Sequence, residues 1–253
     1  MITSPRNRRI AEAARLHRRP ARNLAGRTLI EGRALLAEAM AAGVPIDVIF
    51  TLDPSSAEAA EATGRGIEVL GVTDEVLRRL SGTRNPAGSV AIVAVPDPAP
   101  PVTQDTVVLS GVGDPGNAGT VVRSAAAFGF QVIATAGTVD LWAPKVLRAG
   151  AGAHFRTPIA SLPNGATGGA AVAALESAGL ATVALVVEGG EPIERLSPGP
   201  VALMVGDEAH GLDPAVVAAC GRLATIVMSA GTESLNAAAA ASIAMWERFR
   251  SRR

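Results

Sequence analysis

A chain of 253 residues, 48% apolar and 18% charged, has material for one large or two modest globular domains and is too apolar to stay disordered. Its single cysteine, Cys220, excludes an internal disulfide or a cysteine-based metal cluster, and His17, His154 and His210 stand too far apart to read as a ligand set, so no metal is expected. Net charge is zero but unevenly spread: residues 1–33 hold nine arginines against Glu12 and Glu31, whereas residues 34–97 hold four arginines against nine acids.

Such segregation marks a basic face on an acidic body, and phosphate contact needs only the local patch. Arg6, Arg8, Arg9, Arg15, Arg18, Arg19 and Arg22 are therefore candidate nucleic-acid contacts. With no tyrosine, two tryptophans and five phenylalanines, base stacking is not expected to dominate; arginine on phosphate and the shape of folded RNA fit better. The arginine-rich start lacks a signal-peptide apolar core, and the longest apolar runs are broken by Glu176 or Asn236, so neither export nor a membrane span is expected, and a cytoplasmic setting is.

In chain order, Ser4-Pro5 reads as an N-cap with proline in the first turn, opening an arginine-rich helix to about Arg19. Strands at residues 28–32, 46–51, 67–72 and 89–95 alternate with helices at 33–43, 55–63 and 74–80, a small α/β unit. The proline-rich segment 96–101 reads as a stiff linker, dividing residues 1–97 from 98–253. Beyond it, strands are expected at 106–110, 131–136, 154–160, 180–187, 201–206 and 224–229, and helices at 117–128, 143–150, 167–178, 213–219 and 236–250.

Gly111, Gly113 and Gly116 spell a G-x-G-x-x-G between a strand and a helix, the setting of a dinucleotide fingerprint, which keeps a nucleotide-cofactor oxidoreductase as a rival reading. That reading accounts for nothing in two later glycine-anchored segments, VGDEAHGL at 205–212 and IVMSAGTESLNAAAAA at 226–241. Asp114, Pro115, Asn117, Gly119, Arg123, Ser124 and Ala125 form one motif, Gly206, Glu208, Gly211 and Leu212 a second, and Ile226, Met228, Gly231, Ser234, Leu235 and Asn236 a third. Across essentially all of residues 105–250 these resemble the signature motifs of the SpoU/TrmH family, 2′-O-ribose RNA methyltransferases of the SPOUT superfamily. The third departs from the pattern at Val227, where proline is common, in a glycine one position late, and in the alanines after Asn236. The N-terminal half resembles the ribosomal-protein-like RNA-binding domain that many members carry.

The resemblance implies an α/β fold in which a small RNA-binding domain precedes a trefoil-knotted, Rossmann-like methyltransferase domain, acting as a homodimer on ribosomal RNA, 23S in preference to transfer RNA, with S-adenosylmethionine and no metal. It implies that Gly206, Gly211, Ile226, Met228, Gly231, Leu235 and Asn236 form the cofactor slot, the glycines by letting the ligand approach main chain. It also makes Arg123 the catalytic arginine, either a base toward the 2′-hydroxyl or a fixed cation that orients phosphate and stabilises the alkoxide. Asn117 is an N-cap, a ribose-positioning group or both; Glu208 is a surface acid or the holder of Arg123 or of a third-motif amide; Ser234 and Asn236 cap the last helix, serve catalysis or both. An RNA-binding protein with a silent site is the remaining rival. His154, His210 and Cys220 read as structural, and Arg248, Arg250, Arg252 and Arg253 as complements to a helix C-terminus. The last helix, apolar nearly all round, independently suggests pairing with a second copy.

Overall fold

The computed structural model describes residues 1–99, 103–162, 165–196 and 199–252. The chain divides into two compact units, Met1–Asp97 with Trp142–Phe155, and Pro98–Leu141 with Arg156–Arg253. The division after Asp97 falls inside the expected linker, whose residues 100 and 101 lie outside the described residues. The return of Trp142–Phe155 to the first unit has no counterpart in a reading of two contiguous pieces.

The first unit opens with α1 (Arg8–Arg15) and adds α2 (Arg19–Ala25), a helix that was not expected; α1 itself is shorter at both ends than the helix expected to run to about Arg19. The α1 cap is Asn7, whose side chain accepts the Arg9 N–H, rather than Ser4. Pro20, which has no N–H to donate and restrains the residue before it, sits in the first turn of a new helix and accounts for the break. Then follow β1 (Arg27–Glu31), α3 (Arg33–Ala41), β2 (Ile46–Thr51), α4 (Ala57–Gly64), β3 (Glu68–Gly71), α5 (Asp74–Leu80) and β4 (Ser89–Ala94). The sheet order is β1-β4-β2-β3, with β4 antiparallel to β1 and β2, and β2 parallel to β3. Strand alternation splits the apolar residues between two faces: Leu29, Val48 and Phe50 pack with Ile10 and Leu77, while Ile30, Ile49 and Val93 pack with Leu36 and Leu147. Leu147 explains why its segment belongs here.

The second unit carries β5 (Thr106–Leu109), α6 (Pro115–Phe128) and β6 (Gln131–Ala134); α7 (Pro144–Ala149) lies in the excursion to the first unit. It resumes with β7 (Ile159–Ala160), α8 (Gly168–Ser177), β8 (Ala181–Leu185), β9 (Glu191–Pro192), β10 (Val201–Val205), α9 (Pro214–Ala219), β11 (Arg222–Thr225) and α10 (Ala237–Arg250). The strands form a parallel sheet in the order β7-β6-β5-β10-β8-β11-β9. The continuous apolar runs of β5 and β10 are buried throughout, as central parallel strands require. The strand expected at 154–160 shrinks to β7, because Ala153–Phe155 forms a 3-10 turn after Ala151 and Gly152 take positive φ. The last strand falls at 222–225 instead of 224–229, and Ile226 onward leaves the sheet.

α6 and α10 pack along each other, with the Ser124 and Ser242 hydroxyls 2.7 Å apart and Phe128 stacked near Trp246 and Phe249. Arg248, expected at a helix terminus, turns inward: it and Asp105 are both buried, and the carboxylate also accepts the Val201 N–H and the Arg252 guanidinium. Arg250 pairs with Glu247, and Arg253 lies outside the described residues.

Candidate active site

Because β8, β10 and β11 are parallel neighbours, their C-terminal ends open on one edge of the sheet, where open α/β folds bind ligands. A cleft of about 330 Å3 lies there. Leu185, Val187, Ile226, Met228 and Leu235 give it apolar walls, the 206–211 turn supplies main chain, and Ser234 and Glu208 reach it from the polar side. Gly211 takes φ +69°, and Asp207 closes the turn through N–H to O contacts with Gly211 in both directions, 3.1 and 2.9 Å. The Asp207 carboxylate accepts the N–H groups of Ala209 and His210 at 2.8 and 3.0 Å, which hold it below the usual carboxylate range.

The Gly206 requirement has a different cause from the one expected. A Cβ there would lie 2.2 Å from the Gly211 carbonyl carbon and 2.3 Å from the Leu212 nitrogen, so the turn's own backbone excludes it. Gly206, Gly211, Ile226, Met228 and Leu235 do line the cleft; Gly231, at φ +86°, and Asn236 do not. Nor do Gly111, Gly113 and Gly116, the glycines of the dinucleotide reading. The wall from Leu185 to Val187 carried no motif; its only sequence signal was its place at the end of a buried strand.

At the mouth of the cleft the three motifs meet through side chains. Asn117 donates through Nδ2 to Glu208, and its Oδ1 accepts Nδ2 of Asn236 at 3.0 Å. Asn236 Oδ1 in turn accepts the Ala238 and Ala239 N–H groups at 2.9 and 3.2 Å, capping α10. Each amide has one orientation in this relay, since turning either would set donor against donor or acceptor against acceptor. Donation runs from the positive N-terminus of α10 through two amides to a carboxylate, the favourable direction for a helix dipole. Glu208 thus takes the first-motif amide, not Arg123 or a third-motif amide. The α6 cap is Asp114, which accepts the Asn117 N–H, leaving the Asn117 side chain to the relay. Ser234 does not cap α10, has no hydrogen-bond partner among the described residues, and lines the cleft.

Arg123 lies on α6, six residues or about 9 Å of helix beyond Asn117, exposed and without an ion pair among the described residues. The N-terminal arginines differ among themselves. Arg8 pairs with Glu12, Arg9 with Glu68, and Arg22 is buried with Nη1 on the Leu16 carbonyl; Arg6, Arg15, Arg18 and Arg19 are exposed with no ion pair among the described residues. Burial pushes the Cys220 thiol up to about 11, leaving it protonated and unreactive near neutral pH. His210 stands exposed on the turn beside Asp207.

Residues 105–246 match the SpoU rRNA Methylase family, and residues 7–91 match the MRM3-like substrate binding domain. The chain belongs to the SpoU rRNA methylase family, and its fold is the α/β fold of that family's solved structures. It is 36% identical over 167 residues to the mitochondrial rRNA methyltransferase 3 of Mus musculus, a match that covers 61% of this chain and 40% of that longer protein. It is 26% identical to the 23S rRNA (guanosine(2553)-2'-O)-methyltransferase RlmP of Bacillus subtilis over 97% of both. The crystal structure of the SpoU methyltransferase AviRb of Streptomyces viridochromogenes in complex with AdoMet superimposes with a TM-score of 0.86 at 28% identity over 98% of both chains.

Proposed function

We propose that this chain is an S-adenosylmethionine-dependent methyltransferase acting on a ribose 2′-hydroxyl of structured RNA, 23S ribosomal RNA in preference to transfer RNA, in the cytoplasm. The observation that carries the reading is the convergence of Asn117, Glu208 and Asn236, from three separate segments, at the mouth of an apolar cleft on the strand ends. The names of RlmP and of the AdoMet complex of AviRb support the reaction and the cofactor. Small-molecule pockets run from about 300 to 1,000 Å3 and combine apolar walls with a few polar groups; a cleft of about 330 Å3 with these walls and this turn fits the cofactor.

S-adenosylmethionine supplies the methyl group when bound. Ile226, Met228 and Leu235 would hold the adenine, with the main chain of the 206–211 turn beside them. The relay fixes Asn117 and Asn236 at the mouth. Arg123, exposed and without a hydrogen-bond or ion-pair partner among the described residues, is the group left to meet RNA phosphate and the developing alkoxide, in the role of a fixed cation. The knotted threading and the homodimer belong to the same proposal. For the dimer we assign the exposed stripe Ala239, Ile243 and Trp246 of α10 with the neighbouring Phe128; Ala240, on the other side, lines the cleft.

The test separates binding from transfer. Calorimetry of the cofactor without RNA should show binding by wild type and by Arg123→Ala. Methyl transfer to a 23S rRNA transcript, read as 2′-O-methyl stops in primer extension, should fall about 100- to 1,000-fold in Arg123→Ala. Cofactor binding absent in the wild type, or transfer unchanged in the variant, would overturn the assignment.

A further inference from the structure

Several N-terminal arginines spend their charge inside the first unit, on Glu12, Glu68, Asp47 and Glu58. Arg18 and Arg19, at the junction of α1 and α2, do not. Next to them, His17 sets Nε2 at 2.9 Å from the Leu80 carbonyl and so presses the junction against the loop after α5. In that loop, a Cβ on Gly82 would lie 3.5 Å from Arg148 Nη1 and 3.6 Å from His17 Cε1. Arg84, two residues on, is exposed and carries no ion pair among the described residues. Segments distant in sequence thus bring four arginines into one neighbourhood of the first unit.

Glu31 organises it. Its side chain is 6% exposed, and Oε1 accepts the Ser81 and Thr83 hydroxyls at 2.7 and 2.8 Å and the Ala87 N–H at 3.2 Å. Oε2 faces Arg148 Nη1 at 3.5 Å. One carboxylate oxygen therefore shapes the loop while the other aims a guanidinium. That guanidinium has five N–H groups and the Arg148 side chain remains 28% exposed, so donors are left for a second anion. One buried carboxylate against four arginines leaves the cluster cationic. Its charges are spread over several segments instead of enclosing a pocket, which suits a run of phosphates better than a single small anion.

We propose that Arg18, Arg19, Arg84 and Arg148 form a track that grips the RNA backbone, with Glu31 as the positioning residue for Arg148 and for the 81–88 loop. The inference rests on the RNA-methyltransferase reading. It is tested by filter binding of a 23S rRNA transcript from roughly 50 to 200 mM salt. Arg84→Gln and Arg148→Gln should each flatten the plot of log affinity against log salt by about 0.7 to 0.9. Arg65→Gln, outside the track and paired with Glu61, should leave the slope as it is. Glu31→Gln should keep the slope while weakening binding roughly three- to tenfold, the worth of one lost orienting hydrogen bond. Arg84 is exposed and has no hydrogen bond or ion pair among the described residues, so its variant reads the track even if Arg148→Gln is destabilised. RNA binding with wild-type slopes in Arg84→Gln and Arg148→Gln overturns the track alone; no RNA binding by the wild type overturns the functional reading and the track together.

Discussion

His154 is 2% exposed, its ring centroid lies 5.8 Å from that of Trp142, and neither ring nitrogen has a hydrogen-bond partner among the described residues. A charged imidazole there would lose its water and gain nothing, so burial lowers its pKa from 6.5 to about 4. Between those values the unfolded chain takes up a proton that the folded chain refuses. Stability is therefore complete above the unfolded pKa and falls as pH drops through this window, by about 3 kcal/mol in all. His154→Phe keeps a ring in place and removes the titration, so denaturation at about pH 7 and about pH 4.5 should show a smaller acid loss in the variant than in the wild type. Equal losses would show the folded ring to be solvated. The sequence made His154 structural but carried no sign of its isolation, which depends on an excursion of chain into the first unit. Gly206 is similar: the need for glycine was legible, but the atoms that impose it, in Gly211 and Leu212, appear only once the turn is closed.

At the scale of elements, α10 joins folding to chemistry through one residue. Asn236 caps the helix with its oxygen and reaches Asn117 with its nitrogen, two roles that substitutions can part. Asn236→Ala should cost about 1 kcal/mol of stability through the lost cap and also impair transfer. Asn236→Asp retains a capping oxygen but cannot donate to Asn117, and it sets a second carboxylate near Glu208. It should melt close to wild type in thermal denaturation while losing methyl transfer; wild-type transfer by this variant would remove the relay from the mechanism. Elements marked by clear periodicity and glycine or proline boundaries were legible, β2 at 46–51 and α5 at 74–80 to the residue. The helix α2 was missed because its seven residues, RPARNLA, carry no apolar period, and β9 because two residues make no pattern. The motif residues of the site were legible as types at fixed spacings. Their meeting depends on the order β10-β8-β11, a property of pairing that no local stretch encodes.

For the whole molecule, assembly is the property the exposed surface bears on. Ile243 and Trp246 remain 37% and 46% exposed on a helix whose other faces are buried, with Phe128 alongside. If a second copy covers them, Ile243→Arg sets an unpaired charge in the contact, at about 3 to 5 kcal/mol or a hundredfold and more in dimer affinity. Sedimentation should then show wild-type dimers and a 25.5 kDa variant at the same micromolar concentration; a monomeric wild type with full transfer would end the proposal. The buried node at Asp105 governs a different matter, the timing of synthesis. Asp105 immediately precedes β5, yet the guanidiniums that neutralise it belong to Arg248 and Arg252, and the N–H it accepts belongs to Val201. On the ribosome, residue 105 leaves the exit tunnel long before any of them has been translated. Until then its carboxylate must stay in water, β5 lacks its neighbour β10, and the second unit cannot close around a bare charge. Nascent chains stalled before residue 248 should therefore be cut readily by protease within the second unit, and those released after residue 252 should resist.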